Sequence, residues 1–379
     1  MTLLVNAERS SFLSAGHGWW LKSLCLKARR AAATQLARGI ESDPQAVGIM
    51  QGILLGYRGE LQKETRMLMA ETGIMHILAV SGSHVAVIAI LLQGVLRSLR
   101  VMRDRWVFVL APLLAAYAIA TGGAASAVRA CVMATLFYLG PALGRKQDAV
   151  SAVALAAIVI VGWNPGQLFE PGFIMSFVVV LGLIVLWPVG RTLFERLWAK
   201  VWPEFDVPTD FPGMLEEPEP VPWHRRLFRP VAALLRHASS LLVFSAAAWL
   251  SSVPLTAYFF QRVSLISVAG NMVAIPVAFL MMLAGALSVV TGFCVEWVGE
   301  TFNNGGLALT RLLVAAMQCF GRLPLACIRT PKPSPWMAAV WYLGLGAVAF
   351  MTYPLVRKRA GMEARNGQPA GTSVGSGEA

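Results

Sequence analysis

The chain has 379 residues, 56% of them hydrophobic and 14% charged, with 32 basic against 20 acidic side chains for a net charge of +12. Soluble domains carry about a quarter charged residues, so this composition excludes an ordinary soluble enzyme. It points instead to an all-α, polytopic transmembrane bundle of roughly seven to nine spans with one long proline- and acid-rich cytoplasmic loop. The basic excess fits cytoplasmic loops that obey the positive-inside rule, and it is compatible with an anionic substrate without singling one out.

Residues 1–72 are expected not to cross the membrane. Trp19 and Trp20 stand beside Lys22, Lys27, Arg29 and Arg30, a mixture suited to an amphipathic helix at the lipid–water boundary or to one packed on a further domain. No basic segment followed by an apolar one is present at the start, so no signal peptide is expected. Pro44 marks a second helix start. Residues 61–72, preceded by Glu60 and containing Lys63, Glu64, Arg66 and Glu71, read as a charged, solvated helix leading into the membrane.

The central stretch is 73–96, apolar for about the twenty residues a span needs, yet carrying His76, Ser81, Gly82, Ser83 and His84. As one continuous helix it would place His76 and Ser83 about 20° apart and His84 about 80° from His76, giving a single polar side. Ionisable groups inside a span mark functional candidates, although histidines that hydrogen-bond neighbouring helices give the same pattern.

Arg97, Arg100, Arg103 and Arg105 then read as cytoplasmic, which places 1–72 outside. Residues 106–120 and 124–139 form a hairpin of spans closed by Thr121-Gly122-Gly123. Arg129 lies within the second span, where it lines a cavity or meets an anion. After Arg145 and Lys146, residues 149–161 cross again and stop at Asn164-Pro165. Pro171 opens the next span, with Gly172 and Ser176 in its first turns, and the two prolines predict a bent, re-entrant connection.

Residues 191–238 form the long polar break. Within it, 203–222 carry Glu204, Asp206, Asp210, Glu216, Glu217 and Glu219 among prolines and read as a flexible linker rather than a metal site. Residues 239–260 cross with Pro254 inside, and 263–290 are apolar with Asn271 and Pro276 at a polar kink. Residues 302–320 are amphipathic or spanning, and 336–355 form the last clear span. Arg357, Lys358 and Arg359 argue for a cytoplasmic end, but Arg322, Arg329 and Lys332 before that span look cytoplasmic too, and one span cannot have both ends inside.

The expected organisation is therefore 1–72 non-spanning, 73–190 a first membrane bundle, 191–238 a cytoplasmic loop, 239–356 a second bundle and 357–379 a disordered tail. Cys25, Cys131, Cys294, Cys319 and Cys327 show no Cys-x-x-Cys pairing and behave as small hydrophobes. They suggest neither disulfides nor zinc, and no metal, cofactor or catalytic residue is expected.

Several ordered motifs carry a resemblance to a known family. Gly73-Ile-Met-His76-Ile-Leu-Ala-Val-Ser81-Gly82-Ser83-His84 resembles the signature of the ComEC-type competence proteins, bacterial inner-membrane proteins that pass single-stranded DNA into the cytoplasm. Ile77 and Val80 are conservative departures, while Ser83 and Ala86 stand where the family more often has a large apolar residue and Gly. Leu54-Leu55-Gly56-Tyr57-Arg58 ahead of it, Thr121-Gly122 with Ser126-Ala127-Val128-Arg129-Ala130, Asn164-Pro165 with Gly172-Phe173 and Ser176-Phe177, Pro254 with Phe260, and Asn271 with Pro276 also resemble family patterns.

The resemblance spans about residues 48–355. It implies a DNA channel whose path is lined by His76, Ser81, Gly82, His84, Arg129, Asn164, Gly172, Ser176 and Asn271. Fixed positive charge would compensate phosphate, and hydroxyls and imidazoles would solvate it without trapping it. The implied partners are single-stranded DNA and the inner membrane, with a separate DNA receptor, nuclease and cytosolic ATPase, and room for a homodimer. The OB-like and metallo-β-lactamase-like domains usual in full-length members are not expected here. The sequence has no Gly-x-x-x-x-Gly-Lys-Ser/Thr loop, so ATP hydrolysis is not expected of it. Two other readings remain open at this stage: a proton-coupled secondary transporter of a small anion, and an intramembrane serine protease built on Ser81 or Ser83 with a histidine.

Overall fold

A computed structural model of the chain describes residues 20–57, 63–78, 80–201, 223–323 and 327–366. The acidic linker expected at 203–222, and the tail from 367 onward, lie outside the described residues. The architecture is nearly all helical. Among the described residues, five helices are long and apolar enough to cross a membrane: Ala125–Ala142, Pro171–Trp198, Leu234–Phe260, Ser267–Gly292 and Pro335–Pro354. Large apolar side chains such as Leu181, Leu242, Leu280, Leu343 and Phe350 stand exposed along them, as they would on a surface solvated by lipid.

The chain divides into two compact units. The first comprises Met1–Met67, Met75–Asp148 and Pro276–Ala315, and the second Leu68–Ile74, Ala149–Ile275 and Ala316–Ala379.

In the first unit, helices α1 (Trp20–Ala37) and α2 (Pro44–Leu55) form a short pair. Asp43 caps α2 by accepting the Ala46 amide at 3.1 Å, and Pro44 occupies the first helical position, where its missing N–H costs nothing. After α3 (Lys63–Glu71) come α4 (Met75–Leu78), α5 (Gly82–Ser98), α6 (Trp106–Ala120) and α7 (Ala125–Ala142). The Thr121-Gly122-Gly123 turn closes the α6–α7 hairpin as expected.

Two further helices, α11 (Ser267–Gly292) and α12 (Glu296–Gly321), bring their 276–315 portion onto α1 and α2. Gly285, Gly292, Gly299 and Gly306 recur every seven residues and meet Leu54, Gln35, Gln35 and Met50; a methyl at Gly299 would come within 2.6 Å of the Gln35 amide. Small residues at that period let helix backbones approach closely. Buried Asn303 of α12 then donates to the Gln35 and Arg38 carbonyls at 2.8 and 2.9 Å and accepts from Ser288 at 2.6 Å. It thus satisfies the Arg38 carbonyl and adds a second donor to the Gln35 carbonyl, which already accepts the Arg38 amide at 3.3 Å. Residues 302–320, left open as amphipathic or spanning, belong to this α12, which is bonded onto α1 and is not among the five long apolar helices.

The second unit is built on α9 (Pro171–Val201), α10 (Trp223–Phe260) and α13 (Pro335–Asn366), preceded by α8 (Ala149–Trp163). α9 and α10 run antiparallel: Gly182 faces Ser251, and Gly190 faces Val243. α13 packs on α10, with Trp341 Nε1 donating to the Leu250 carbonyl and the Tyr342 hydroxyl to the Ser251 carbonyl, both at 2.9 Å. A proline cannot donate to the carbonyl four residues before it, and Leu250 is four before Pro254. Trp341 supplies the donor that Pro254 lacks.

Several expectations are corrected. The stretch 73–96 is not one continuous helix: α4 ends at Leu78 and α5 begins only at Gly82, so the angles between His76, Ser83 and His84 deduced for a single helix do not hold. The fold is nearly all-α as expected, and the one addition among the described residues is a short ribbon in which β1 (Arg262–Ser264) pairs antiparallel with β2 (Cys327–Arg329), so the helix expected over 263–290 starts only at Ser267. The helices flanking the polar break reach far into it, α9 to Val201 and α10 from Trp223, since Arg, Leu and Ala continue a helix readily once it is nucleated. For the same reason α13 runs to Asn366, into the stretch expected to be disordered from 357.

Candidate functional site

The site grows from the break between α4 and α5. Val80-Ser81-Gly82-Ser83 interrupts an apolar run with residues that favour caps over helix interiors. Ser81 takes extended backbone (φ −118°, ψ 173°) and serves as the N-cap of α5. Its amide donates to His84 Nδ1 at 3.1 Å, the position a Glu side chain takes in the reciprocal N-terminal cap of a helix. The other face of the ring is hydrogen-bonded to the backbone of Ile77, on the last turn of α4. Because Nδ1 faces an obligate donor, the ring is the neutral tautomer with its proton on Nε2, directed at that carbonyl. His84, 2% exposed, therefore clamps the two helix segments across the break.

Two neighbours complete the clamp. Ser126, at the start of α7, donates to the Val80 carbonyl at 2.6 Å. Gly56, the left-handed C-cap of α2 (φ +75°), packs against Val80 so closely that a Cβ would lie 2.7 Å from the valine Cγ2. Every other side chain is thereby excluded, which is the physical content of the Leu-Leu-Gly segment.

Ser81 Oγ lies 3.0 Å from His84 Nδ1 and 2.7 Å from Ser83 Oγ. By distance alone this is a serine–histidine pair. A general base must be able to take the hydroxyl proton, however, and Nδ1 is already engaged by the Ser81 amide inside a helix cap. The arrangement acts as a cap, and the hydroxyl has Ser83 as a second acceptor.

Arg129 stands on α7 one turn beyond Ser126 and is 4% exposed, between the fully buried Ala127 and Cys131, itself 7% exposed. It sits just inside the N-terminal end of α7, where the helix dipole adds further positive potential. His76, Gly82 and Ser83 are exposed. The structure thus brings Ser81, Gly82, Ser83 and His84 together at one helix start, with Arg129 on the helix that bonds to it through Ser126.

The remaining sequence candidates lie in the second unit. Asn164 is exposed and caps a 3-10 turn (Pro165–Phe169) by accepting the Gly166 amide at 3.1 Å. Ser176 returns its hydroxyl to the Gly172 carbonyl at 2.8 Å, while Phe173 and Phe177, one turn apart, are buried with ring centroids 4.4 Å apart. Asn271, 9% exposed on α11, has a buried Oδ1 for which no hydrogen-bond partner exists among the described residues. Sequence reasoning did not single out Asn303 or Trp341. Only Trp341 had a signal, the carbonyl that Pro254 must release.

The sequence profile of the family described as "Competence protein" matches residues 53–354, a stretch that contains every candidate named above. The chain belongs to the competence protein family. Among curated relatives it is 27% identical over 247 residues to ComE operon protein 3 of Bacillus subtilis (strain 168), a match covering 65% of this chain and 26% of that protein. It is also 27% identical over 237 residues to the uncharacterized protein YcaI of Escherichia coli (strain K12), covering 60% of this chain and 27% of the relative. The match thus spans about a quarter of the length of these relatives. No solved structure matches the chain.

Proposed function

We propose that this chain forms the membrane part of a DNA-uptake channel that passes single-stranded DNA across the bacterial inner membrane during competence. Membership in the competence family supports the reading, and the observation that carries it is the buried Arg129 on a helix of membrane-spanning length. Arg129 keeps a fixed positive charge on this helix beside the α5 start, and fixed positive charge along the path compensates a translocating phosphodiester. Ser81, Ser83 and His76 offer uncharged or weakly charged groups that hydrate the strand, with His84 and Gly82 shaping the helix start that holds them. Asn164, Gly172, Ser176 and Asn271 belong to the proposed path in the second unit.

The proposed span count is nine: α12 and the five long apolar helices, together with the shorter α5, α6 and α8; with both α11 and α12 crossing, β1 and β2 lie on one side, and the odd number sets 357–379 opposite 1–72. With 17, 15 and 15 residues, these last three are about 22–26 Å long, short for a hydrocarbon core of about 30 Å, and the exposed Trp163 at the end of α8 is placed to anchor that end in a locally thinned bilayer. In this scheme 1–72 stays out of the membrane, 73–190 and 239–356 form the two bundles, and 191–238 and 357–379 are cytoplasmic. A receptor, a nuclease and a motor for the strand come from other proteins or domains.

The test is internalisation of labelled DNA in the source organism, comparing wild type, a deletion and Arg129→Gln at normal expression. The reading expects the deletion to abolish entry while surface-bound DNA persists, and Arg129→Gln to cut entry at least tenfold with the protein still in the membrane. Undiminished entry in deleted, demonstrably competent cells would sink it.

A further inference from the structure

The short β1–β2 ribbon of the second unit carries a charge arrangement that neither folding nor membrane insertion requires. Arg262 and Arg329 are direct cross-strand partners, and both are exposed. Their register places them on the same face of the ribbon, where like charges directly opposite are destabilising. Val263 and Ile328 pair on the other face, half-buried, and hold the ribbon down. Trp249 donates its indole N–H to the Ser264 carbonyl at 2.8 Å, and the Thr330 amide donates to the Gln261 carbonyl at 3.1 Å, so the pairing is locked to α10. Lys332 adds a third cation, its Nζ 4.3 Å from the centre of the Tyr258 ring. Among the described residues no carboxylate pairs with any of the three. Residues 223–295 and 301–362 contain no Asp or Glu at all.

The placement of this cluster decides its meaning. α9 lies antiparallel to α10, and the ribbon joins the C-terminal end of α10 to the N-terminal end of α13, so Arg191, Arg196 and Lys200 of α9, Arg236 of α10 and the Arg357-Lys358-Arg359 run of α13 fall at one end. The ribbon follows the last turn of α10 and precedes the first turn of α13, at the opposite end. By the positive-inside rule the first end is cytoplasmic and the ribbon is external, which resolves the conflict that the sequence posed around Arg322, Arg329 and Lys332. Positive charge left outside runs against the insertion bias, and two arginines held opposite each other make a spot where a bound anion relieves their repulsion.

We infer that the Arg262–Arg329–Lys332 ribbon is the external docking point for the phosphate backbone of single-stranded DNA, met before the strand enters the membrane. The inference rests on the channel reading and names where that reading's substrate is first held. A nucleic acid strand fits better than a small anion, because two guanidiniums and an ammonium spread over the ribbon suit a chain of phosphates rather than a single one.

The experiment uses the full chain in nanodiscs of zwitterionic lipid, with a fluorescent oligothymidylate titrated at several salt concentrations. Compared with wild type, Arg262→Gln/Arg329→Gln is expected to weaken binding at least tenfold and to flatten the log–log salt slope by about 1.4, the release expected for two phosphate contacts on a single strand. Arg262→Lys/Arg329→Lys should keep most of the slope. Both sites are exposed, so unchanged tryptophan fluorescence will verify that the variants remain folded. Wild-type binding with the Gln variant unchanged in affinity and slope overturns the ribbon proposal and leaves the channel reading standing. A defect that arises only when anionic lipid is present would assign the ribbon to lipid headgroups and also overturn the proposal. Failure of the wild type to bind oligothymidylate at all overturns the channel reading, and the ribbon proposal with it.

Discussion

The indole N–H of Trp341 sits 2.9 Å from the carbonyl of Leu250, the one carbonyl of α10 that Pro254 deprives of its helical donor. In a lipid-solvated helix such a carbonyl has no water to turn to, so the proline is tolerated because a neighbouring helix answers it. Trp341→Phe should destabilise the purified protein by about 1 kcal/mol, the scale of interhelical hydrogen bonds in membranes. In a Pro254→Ala background the Leu250 carbonyl regains an amide four residues on, and Trp341→Phe should then cost clearly less. A thermal-unfolding double-mutant cycle in detergent reads the difference directly, and equal costs in both backgrounds would refute the coupling.

His84 is expected to act through structure rather than as a lining group. His84→Leu leaves the part-buried Ser81 amide without its acceptor, a loss of about 1–3 kcal/mol. His84→Asn places an acceptor near the position of Nδ1 and should recover part of that loss. Membrane abundance and melting temperature should therefore fall in the order wild type, Asn, Leu, with DNA entry following abundance. A variant that stays abundant and stable yet loses entry would show that the imidazole itself is used by the substrate.

The apolar character of the chain and most helix positions were legible because they depend on local composition. Thr121-Gly122-Gly123, Asn164-Pro165 and Pro171 fell where turns and helix starts occur, since Gly and Pro act through their own backbone. The break at Ser81 was also written in the sequence, as Ser-Gly-Ser inside an apolar run, but hydropathy over 73–96 hides it: apolarity says where a segment can dissolve, not whether its helix is continuous. The ribbon was illegible because three-residue strands give no periodic signal, and its partners are separated by the whole of α11 and α12. Among the site residues, Arg129 and His84 stood out through the cost of burying them. Whether each is satisfied locally, as His84, Asn164 and Ser176 are, depends on contacts that spacing alone does not reveal.

Asn303 offers the sharpest test of how the first unit is held together. Its amide donates to two carbonyls at the end of α1 and its oxygen takes the Ser288 hydroxyl, so one buried side chain ties α1, α11 and α12. The flanking ion pairs Arg38–Glu296 at 2.7 Å and Asp43–Arg311 at 3.2 Å are solvent-exposed and add little. Asn303→Leu strands the Arg38 carbonyl and the Ser288 hydroxyl, removes one of two donors from the Gln35 carbonyl, and should cost about 3 kcal/mol, whereas Glu296→Gln should cost under about 0.5 kcal/mol. Ser288→Ala should be milder alone and nearly without further effect in the Asn303→Leu background, because its acceptor is already gone. Unfolding of the purified variants distinguishes this picture from one in which the surface charges hold α12 in place: in that case Glu296→Gln would rival Asn303→Leu.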